Sequence, residues 1–191
     1  MRYDPAKSLY PRGYAGATGT LAEVSLVLCI AEPGEPKPGA NPQRDLEPSE
    51  LPADIATRVA RAFREGRSPF HKNVVFLLDC CWPNMPFDEQ LRRTWITEGV
   101  LCSAGKTTGP VPAQVERECA SRYLKAQLAL LPDAFVIALG AKAKRRLKLA
   151  GRPPDACVVA AGRPAGNWAT AKPSWRDAGA VFQQCRTEHG I

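Results

Sequence analysis

Short apolar runs alternate along the chain with longer segments in which apolar residues recur at helical spacing. Apolar runs of this length that are rich in β-branched residues are typical of buried strands. Four segments have this pattern and are predicted to be strands: 24–31 (VSLVLCIA), 95–102 (WITEGVLC), 135–139 (FVIAL) and 157–161 (CVVAA).

Helical spacing is clearest in residues 112–131, where Pro112 stands at the start and apolar side chains lie along one face. Residues 73–82 are apolar, so their pattern leaves strand and helix open. Three further segments are predicted to be helices: 54–65, the strongly basic 141–150, and 173–185.

Strands that alternate with helices predict an α/β fold in which a parallel sheet is covered on both faces. A length of 191 residues fits a single domain, 1–191. Residues 1–20 are polar and rich in Gly and Tyr, and we expect them to form an arm or loop. Residues 33–53 contain six prolines, which exclude regular structure and indicate a long loop.

The segments that follow the predicted strands are the candidates for ligand binding. In parallel α/β sheets, ligands bind at the carboxyl ends of the strands. Four segments should therefore gather at one edge of the sheet: 32–40, 98–108, 140–142 and 162–168.

The formal charge of +7 is unevenly distributed. Residues 1–134 hold 16 basic and 16 acidic side chains, whereas residues 135–191 hold 10 basic and 3 acidic ones. A one-sided basic field favours a polyanion, most simply nucleic acid, that is held by charge and counterion release. The alternative interpretation of the same charges is a solvated Lys/Arg face of a helix.

Hydropathy and cysteine usage indicate the class of protein. No apolar run approaches the ~20 residues of a membrane span, and no basic start leads into an apolar signal core. We therefore expect a soluble, cytoplasmic protein with no membrane partner. The seven cysteines form no CxxC pair and the chain has two histidines, which argues against a disulfide framework and a structural zinc site.

Two motifs near the predicted ligand-binding edge carry candidate chemistry. The segment Glu32-Pro33-Gly34-Glu35 directly follows the first strand, where a carboxylate could orient or deprotonate a water beside a closely approaching backbone. The alternative is a plain turn with solvated acids. Phe70, in the run GRSPF, is either a stacking platform for a ligand or a plug at the edge of the core.

These motifs, taken in order, resemble those of a known family. Glu32-Pro33-Gly34, GRSPF, the strand ITEGVLC, a Pro-started helix with Cys119, and FVIALG are together similar to the uracil-DNA glycosylase superfamily. The order and spacing most resemble its iron–sulfur-bearing branches, chiefly over about residues 66–148. The resemblance implies a three-layer α/β/α sandwich with a central, mostly parallel four-stranded sheet. It also implies excision of uracil from DNA after the base has flipped out of the stack.

The resemblance implies roles for individual residues. Glu32 lies just before the Pro where some branches place the Asp that activates water, and Phe70 matches the aromatic residue that stacks on the flipped uracil. Glu98 falls where the iron–sulfur branches usually have an Asn that reads the uracil edge. Arg163 and Asn167 follow the fourth strand and would donate hydrogen bonds to the leaving base or to a phosphate.

Three departures from the family pattern change the expected chemistry. Cys102 and Cys119 match two cluster ligands, but the amino-terminal cysteine pair is missing. Unless Cys29, Cys80 or Cys81 substitutes, we expect no cluster, no metal and no cofactor. Neither His lies in the segment directly after the fourth strand; Arg163 takes the place of the family's His, or in a competing alignment Lys172 does. An ionised Glu98 would repel uracil O4. Three alternatives follow: Glu98 is protonated, its side chain points elsewhere, or the base is not uracil.

The sequence thus favours a monofunctional, monomeric glycosylase that removes uracil from single- or double-stranded DNA and releases the free base. The catalytic residues would be Glu32, Arg163 and Asn167. The base would be bound by Pro33, Gly34, Glu35, Phe70 and Glu98. The DNA phosphates would be held by Lys142, Lys144, Arg145, Arg163 and Lys172.

Other functions fit the same sequence. One alternative is a non-catalytic nucleic-acid-binding module on the same fold, and another is a glycosylase for a different deaminated base such as hypoxanthine. A third is a redox or cluster protein that uses Cys80 and Cys81.

Overall fold

The sheet at the centre of the molecule has five strands in the order β1-β3-β2-β4-β5. The structure is a computed structural model that describes residues 13–33, 51–101, 110–162 and 168–189. Its strands are β1 (Ala15–Gly16), β2 (Leu26–Ile30), β3 (Thr94–Glu98), β4 (Phe135–Leu139) and β5 (Ala156–Val158).

The central strand β2 pairs in parallel with β3 on one side and β4 on the other. Leu26 lies opposite Thr94 in β3 and Phe135 in β4. β4 also pairs in parallel with β5. The carboxyl ends of these four strands therefore meet at one edge of the sheet, which we call the carboxyl edge. The mostly parallel sheet predicted from the alternation of strands and helices is confirmed.

The sheet has one strand more than predicted. This strand, β1, lies in the segment that the sequence predicts to be an arm or loop. Ala15 pairs antiparallel with Ile96, and the ring of Tyr14 stacks on that of Trp95 with 3.7 Å between their centroids. Gly16 has a φ of +76°, and a Cβ there would lie 2.1 Å from the Thr94 carbonyl oxygen. This close approach requires glycine. Because a two-residue strand has no apolar alternation, the sequence pattern does not reveal it.

Most helices follow the predicted segments. In the first half of the chain, two differ from the prediction: the first helix begins at Leu51, inside the segment 33–53 that was predicted to be a loop, because Pro is tolerated in the first turn of a helix, and the short helix Phe87–Arg92 was not predicted. Residues 34–50 of the predicted loop lie outside the described residues.

The segment 73–82, for which the sequence left strand and helix open, belongs to a helix that begins at Pro69. Ser68 caps this helix, because its hydroxyl oxygen accepts from the amide of His71 and Pro69 follows at the first helical position. A π-helical segment, Ala120–Leu124, joins two helices into the one predicted over 112–131. The helices are α1 (Leu51–Arg64), α2 (Pro69–Cys81), α3 (Phe87–Arg92), α4 (Ala113–Cys119), α5 (Lys125–Ala129), α6 (Ala141–Leu149) and α7 (Trp168–His189).

The last helix starts earlier than predicted. Pro173 favours a helix start at its own position, but α7 begins at Trp168 and contains Pro173 in its interior. Within the described residues, no helix combines the length and the apolar character that a bilayer crossing requires.

Helices cover both faces of the sheet. Successive strand residues point to opposite faces: Leu26 and Leu28 pack in a cluster with α2 and α7, whereas Val27 and Cys29 pack in a second cluster with α6 and the α4–α5 helix. The two clusters are separate hydrophobic cores on either side of the strands. This arrangement confirms the three-layer α/β/α sandwich, with five strands in the sheet instead of four.

Candidate active site

The segments after β2 and β3 lie side by side at the carboxyl edge. The amide of Gly99 donates to the Ile30 carbonyl oxygen at 2.8 Å, and the amide of Val100 donates to that of Ala31 at 3.1 Å. The pairing of the two strands thus continues beyond their ends. It places the segment that carries Glu32 beside the segment that follows Glu98.

The segment after β4 joins them through a side-chain contact. The amide of Gly140 donates to the Val158 carbonyl oxygen at 2.9 Å, which fixes the start of α6 next to the end of β5. From the first turn of α6, the Nζ of Lys142 donates to Oε1 of Glu32 at 2.6 Å. The predicted gathering of these segments at one edge is therefore confirmed for the residues that the structure describes.

Both carboxylate oxygens of Glu32 accept hydrogen bonds from cations. Oε1 accepts from Lys142, and Oε2 accepts from Nη1 of Arg146, which also donates to the Ala31 carbonyl oxygen. The side chain of Glu32 is 8% exposed. Burial acts to raise the pKa of this carboxyl group, but the hydrogen bonds from Lys142 and Arg146 outweigh burial and lower the pKa below its usual range. Glu32 is therefore an ionised carboxylate at neutral pH.

The same arginine binds a second buried carboxylate on α4. Nε and Nη2 of Arg146 donate to Oε1 of Glu116 at 3.2 and 2.9 Å, and Nη2 of Arg145 donates to that oxygen as well. The side chain of Arg146 is fully buried and that of Glu116 is 6% exposed. Burial would raise the pKa of Glu116, but the two arginines lower it. We call Glu32, Glu116, Lys142, Arg145 and Arg146 the Arg146 cluster.

Gly99 makes room for this cluster. A Cβ at position 99 would lie 2.6 Å from Cδ and 2.9 Å from Cβ of Arg146. The aliphatic part of the Arg146 side chain thus passes against bare backbone at the exit of β3. A residue with any side chain at position 99 would displace either Arg146 or the strand exit.

Phe70 lies at the start of α2, close to the segment after β5. Its ring centroid is 6.0 Å from that of Phe63, and a Cβ on Gly162 would lie 3.9 Å from its Cδ2. One turn later, Nδ2 of Asn73 donates to the Ala161 carbonyl oxygen at 2.6 Å. Phe70 is half-buried, so it both packs on the core and presents part of its ring near the carboxyl edge. Its role as a stacking platform stays a prediction.

Glu98 ends β3 opposite Ile30 and is half-buried. Burial raises the pKa of the neighbouring Cys29 thiol to about 12; Arg146 opposes the shift and Glu98 adds to it. Cys29 is therefore a neutral thiol inside the core.

A cleft of about 440 Å³ opens between the start of α6 and the first turns of α7. Its volume is within the usual range for small-molecule sites. Ser174 fixes one wall, because its hydroxyl accepts from the Val159 amide at 3.1 Å and donates to the Ala171 carbonyl oxygen at 2.8 Å. The lining residues are Gly140, Ala141, Cys157, Val158, Val159, Ala160, Thr170 and Ser174.

The basic residues predicted to hold phosphates differ in where they point. Lys142 and Arg145 bind acidic residues of the Arg146 cluster, whereas Lys144 is exposed on the outer face of α6. Lys172 is half-buried in the first turns of α7, with Nζ 4.8 Å from the centroid of the Phe76 ring. Phosphate binding by these four residues stays a prediction.

Several of the predicted site residues lie outside the residues that the structure describes. Pro33 is buried directly after Glu32. The described part of the chain contains no group of three or more His, Cys, Asp or Glu side chains that could hold a metal ion. The predicted residues outside the described ranges are Gly34, Glu35, Arg163 and Asn167, together with Cys102.

Sequence reasoning missed Arg146 and Glu116 as site residues. Each is a charged residue on the apolar face of its helix: Arg146 lies among the buried Ala143, Leu147 and Ala150, and Glu116 precedes the buried Cys119 by one turn. Charged side chains are almost never fully buried unless they are paired. Two opposite charges on apolar faces are therefore the signal that could have indicated this pair.

No protein-family model matches the chain, and no curated protein is a significant match. The function is therefore inferred from the geometry of the site and from the resemblance of the motifs.

Proposed function

We propose that this protein is a DNA glycosylase that hydrolyses the N-glycosidic bond of uracil in DNA. One observation carries the proposal: an ionised carboxylate, Glu32, lies at the carboxyl edge beside the basic start of α6. The aromatic ring of Phe70 and the cleft between α6 and α7 are found at the exit of β5 on the same edge. Ligands of parallel α/β sheets bind at this edge.

Hydrolysis of the N-glycosidic bond depends more on stabilising the charges that develop in the transition state than on a strong general base. When the bond between C1′ of the sugar and N1 of uracil breaks, its electron pair leaves with the base and the sugar becomes oxocarbenium-like. A water then adds to C1′, and the proton that it loses passes through solvent to the uracil anion, which leaves as the neutral base. A carboxylate with a lowered pKa is a weak base, but it stays negative and can face the cationic sugar while it orients the water. This is the role that we assign to Glu32.

Binding of the flipped nucleotide is assigned to the surrounding residues. Phe70 would stack on the base, and Glu98 would face its polar edge. Arg163 and Asn167 would donate hydrogen bonds to the base anion as it leaves. The exposed Lys144 on α6 and Lys172 on α7 would contact phosphates.

A second candidate is a non-catalytic nucleic-acid-binding module on the same fold. A specific observation favours it: both oxygens of Glu32 already accept hydrogen bonds inside the protein, from Lys142 and Arg146. Buried ion pairs of this kind also occur as purely structural elements. In this case the chain would bind DNA without breaking the glycosidic bond.

The test uses the purified full-length chain with end-labelled oligonucleotides that contain one uracil, one hypoxanthine or one G·T mismatch. Alkali then cleaves the strand at any abasic site. We expect cleavage at uracil, in single- or double-stranded DNA, and the same yield in the presence of EDTA. Cleavage at hypoxanthine alone would change the assigned base. No abasic product from any oligonucleotide, together with salt-sensitive binding, would reject the glycosylase and favour the binding module.

A further inference from the structure

Arg146 connects three separate parts of the chain from a fully buried position. It belongs to α6, binds Glu116 of α4, and donates to both the main chain and the side chain of the segment after β2. The acceptors in that segment are the Ala31 carbonyl oxygen and Oε2 of Glu32. The guanidinium thus connects two helices to the segment that carries the candidate catalytic carboxylate.

The geometry of the guanidinium explains why one side chain can do this. Its five N–H donors lie in one plane in a fixed fork. In Arg146, Nε and Nη2 face Glu116, whereas Nη1 faces the Ala31-Glu32 segment. The two groups of acceptors are thereby held at a fixed distance from each other across the planar group. A lysine ammonium has no such fork and could not span both.

We infer that Arg146 is a positioning residue that fixes the Ala31-Glu32 segment, and with it the Glu32 carboxylate, against α4 and α6. The position of the segment follows from contacts alone, and its consequence for catalysis rests on the proposed function. Lys142 has a different role. Its side chain is 39% exposed and its Nζ donates to one oxygen of Glu32, so it balances the charge of that carboxylate from a partly exposed position.

Because Arg146 binds the main chain at Ala31, it acts on more than the carboxylate. The carbonyl oxygen of Ala31 also accepts from the Val100 amide at 3.1 Å. Loss of the guanidinium would therefore loosen the exit of β2 beside β3. The rest of the β2 pairing, from Leu26 to Cys29 with β4, does not involve Arg146 and should remain.

The experiment compares the full-length wild-type chain with R146K, R146M and a control, R152K. Arg152 donates to the carbonyl oxygens of Leu128, Leu131 and Ala134 at the far end of α5, so R152K makes the same chemical change away from the site. Hydrogen exchange is followed by mass spectrometry in peptides that cover 26–33 and, as an internal reference, 135–139. Uracil release is measured in parallel as kcat and KM.

R146K is expected to speed exchange in the 26–33 peptide about tenfold with the 135–139 peptide unchanged, because local opening becomes easier without global unfolding. Its kcat should fall about 100-fold with KM within about twofold, as a misplaced group costs rate more than binding. R152K should match the wild type in the 26–33 peptide and in kcat. R146M should behave like R146K. If R146M does not fold, R146K alone is compared with the wild type and R152K.

Two results of the exchange measurement would overturn the inference. One is unchanged exchange in the 26–33 peptide of R146K, and the other is an equal acceleration in both peptides, which would indicate global destabilisation. If the wild-type chain releases no base at all, the proposed function fails, and the exchange measurements still decide whether Arg146 positions the segment. A glycosylase whose R146K variant keeps its kcat would retain the proposed function and lose the positioning role.

Discussion

Pairing decides which charged residues of this chain can be buried. Burying an unpaired charge is costly, and breaking a buried pair strongly destabilises a protein because it leaves one uncompensated charge. Arg146 avoids this cost by sharing its donors between Glu116 and the Ala31-Glu32 segment. The absence of a side chain at Gly99 is what lets the guanidinium reach both.

G99A should therefore destabilise the fold. A methyl group at this position would meet Cδ of Arg146 at 2.6 Å, and overpacking of this kind costs about 1–3 kcal/mol. The measurement is the free energy of unfolding in urea. G13A is the matched control, because nothing lies within 4 Å of a Cβ there, and it should change stability by less than about 0.5 kcal/mol. Equal stability of the two variants would contradict the proposed contact.

E32Q should lower the rate of uracil release about 100-fold or more while DNA binding is largely kept. The amide has the size of the carboxylate, but it lacks the negative charge that faces the cationic sugar, and its NH2 group would meet a donor of Lys142 or Arg146. The comparison is E116Q, which removes one charge from the same cluster without altering Glu32, and should lose much less activity. Single-turnover rates measure the difference. Near-normal turnover of E32Q would reject the catalytic role of Glu32.

At the scale of elements, α6 shows why a basic helix is not equivalent to a DNA-binding helix. Its inner side places Arg146 in the core, and Lys142 and Arg145 bind acidic residues. Lys144 and Lys148 are exposed on the outer side. Much of the charge that the sequence assigns to a polyanion is thus balanced within the protein. The surface available for phosphates on this helix is correspondingly small.

K144Q is expected to weaken DNA binding by a similar factor for all sequences and to reduce the salt slope of log K by about 1. R152Q removes an equal charge and serves as its control. Since Arg152 caps carbonyl groups at the end of α5, R152Q should reduce stability by about 1–3 kcal/mol and leave the salt slope unchanged. Binding isotherms at several salt concentrations separate the two effects. An unchanged slope for K144Q would remove α6 from the DNA-binding surface.

The start of α2 presents the aromatic ring of Phe70, which is expected to stack on the flipped base. F70A should weaken binding to uracil-containing DNA, because the stacking of a base on an aromatic ring contributes ~1–3 kcal/mol. F87A makes the same truncation in α3, where Phe87 packs on the same hydrophobic cluster far from the carboxyl edge. Its DNA affinity should equal that of the wild type. If F70A binds and excises normally, Phe70 is part of the core only.

At the scale of the whole molecule, two buried carboxylates link stability to pH. The pKa values of Glu32 and Glu116 lie below the 4.5 of an unperturbed glutamate in spite of burial, because their cationic partners outweigh it. In the unfolded chain both groups take up a proton near 4.5, whereas in the folded chain they stay ionised to lower pH. The unfolded state therefore binds more protons as the pH falls through this window, and stability is lost.

We expect the free energy of unfolding to be highest above pH 4.5 and to fall steeply below it. E116Q removes one of the two buried titrating groups, so its stability should depend less steeply on pH in this window. The control E118Q changes an exposed residue that pairs with Arg122 on the surface, and its pH dependence should follow the wild type. Urea unfolding between about pH 7 and pH 3 measures the slopes. Identical slopes for all three proteins would contradict the depressed pKa of Glu116.

The pattern of the sequence predicted the elements well because each signal is local. The runs that became β2, β3 and β4 are short, apolar and bounded by turns, and α6 follows Gly140 directly. The carboxyl edge could also be predicted, since it follows from the order of strands and helices. The two-residue β1 and the early start of α7 could not, because neither has a pattern of its own.

The candidate site was predictable in its location and not in its contacts. Glu32 and Lys142 are separated by 110 residues, yet they share a hydrogen bond at the carboxyl edge. The sequence offered Glu32 as a carboxylate near solvent and Lys142 as a phosphate ligand. Their mutual contact depends on how closely β2 and β4 pack and on the direction in which α6 leaves the sheet.

By itself, the sequence determined the α/β class, the mostly parallel sheet and the edge at which function is expected. These properties follow from the apolar periodicity of each segment, which is a local signal, and from the order in which the predicted strands and helices occur along the chain. Tertiary structure alone decided which charges are available. Arg146 is one cation among several in a basic segment until α4 and the exit of β2 bring Glu116 and Glu32 to it, because the partner of a buried charge is set by packing across the fold.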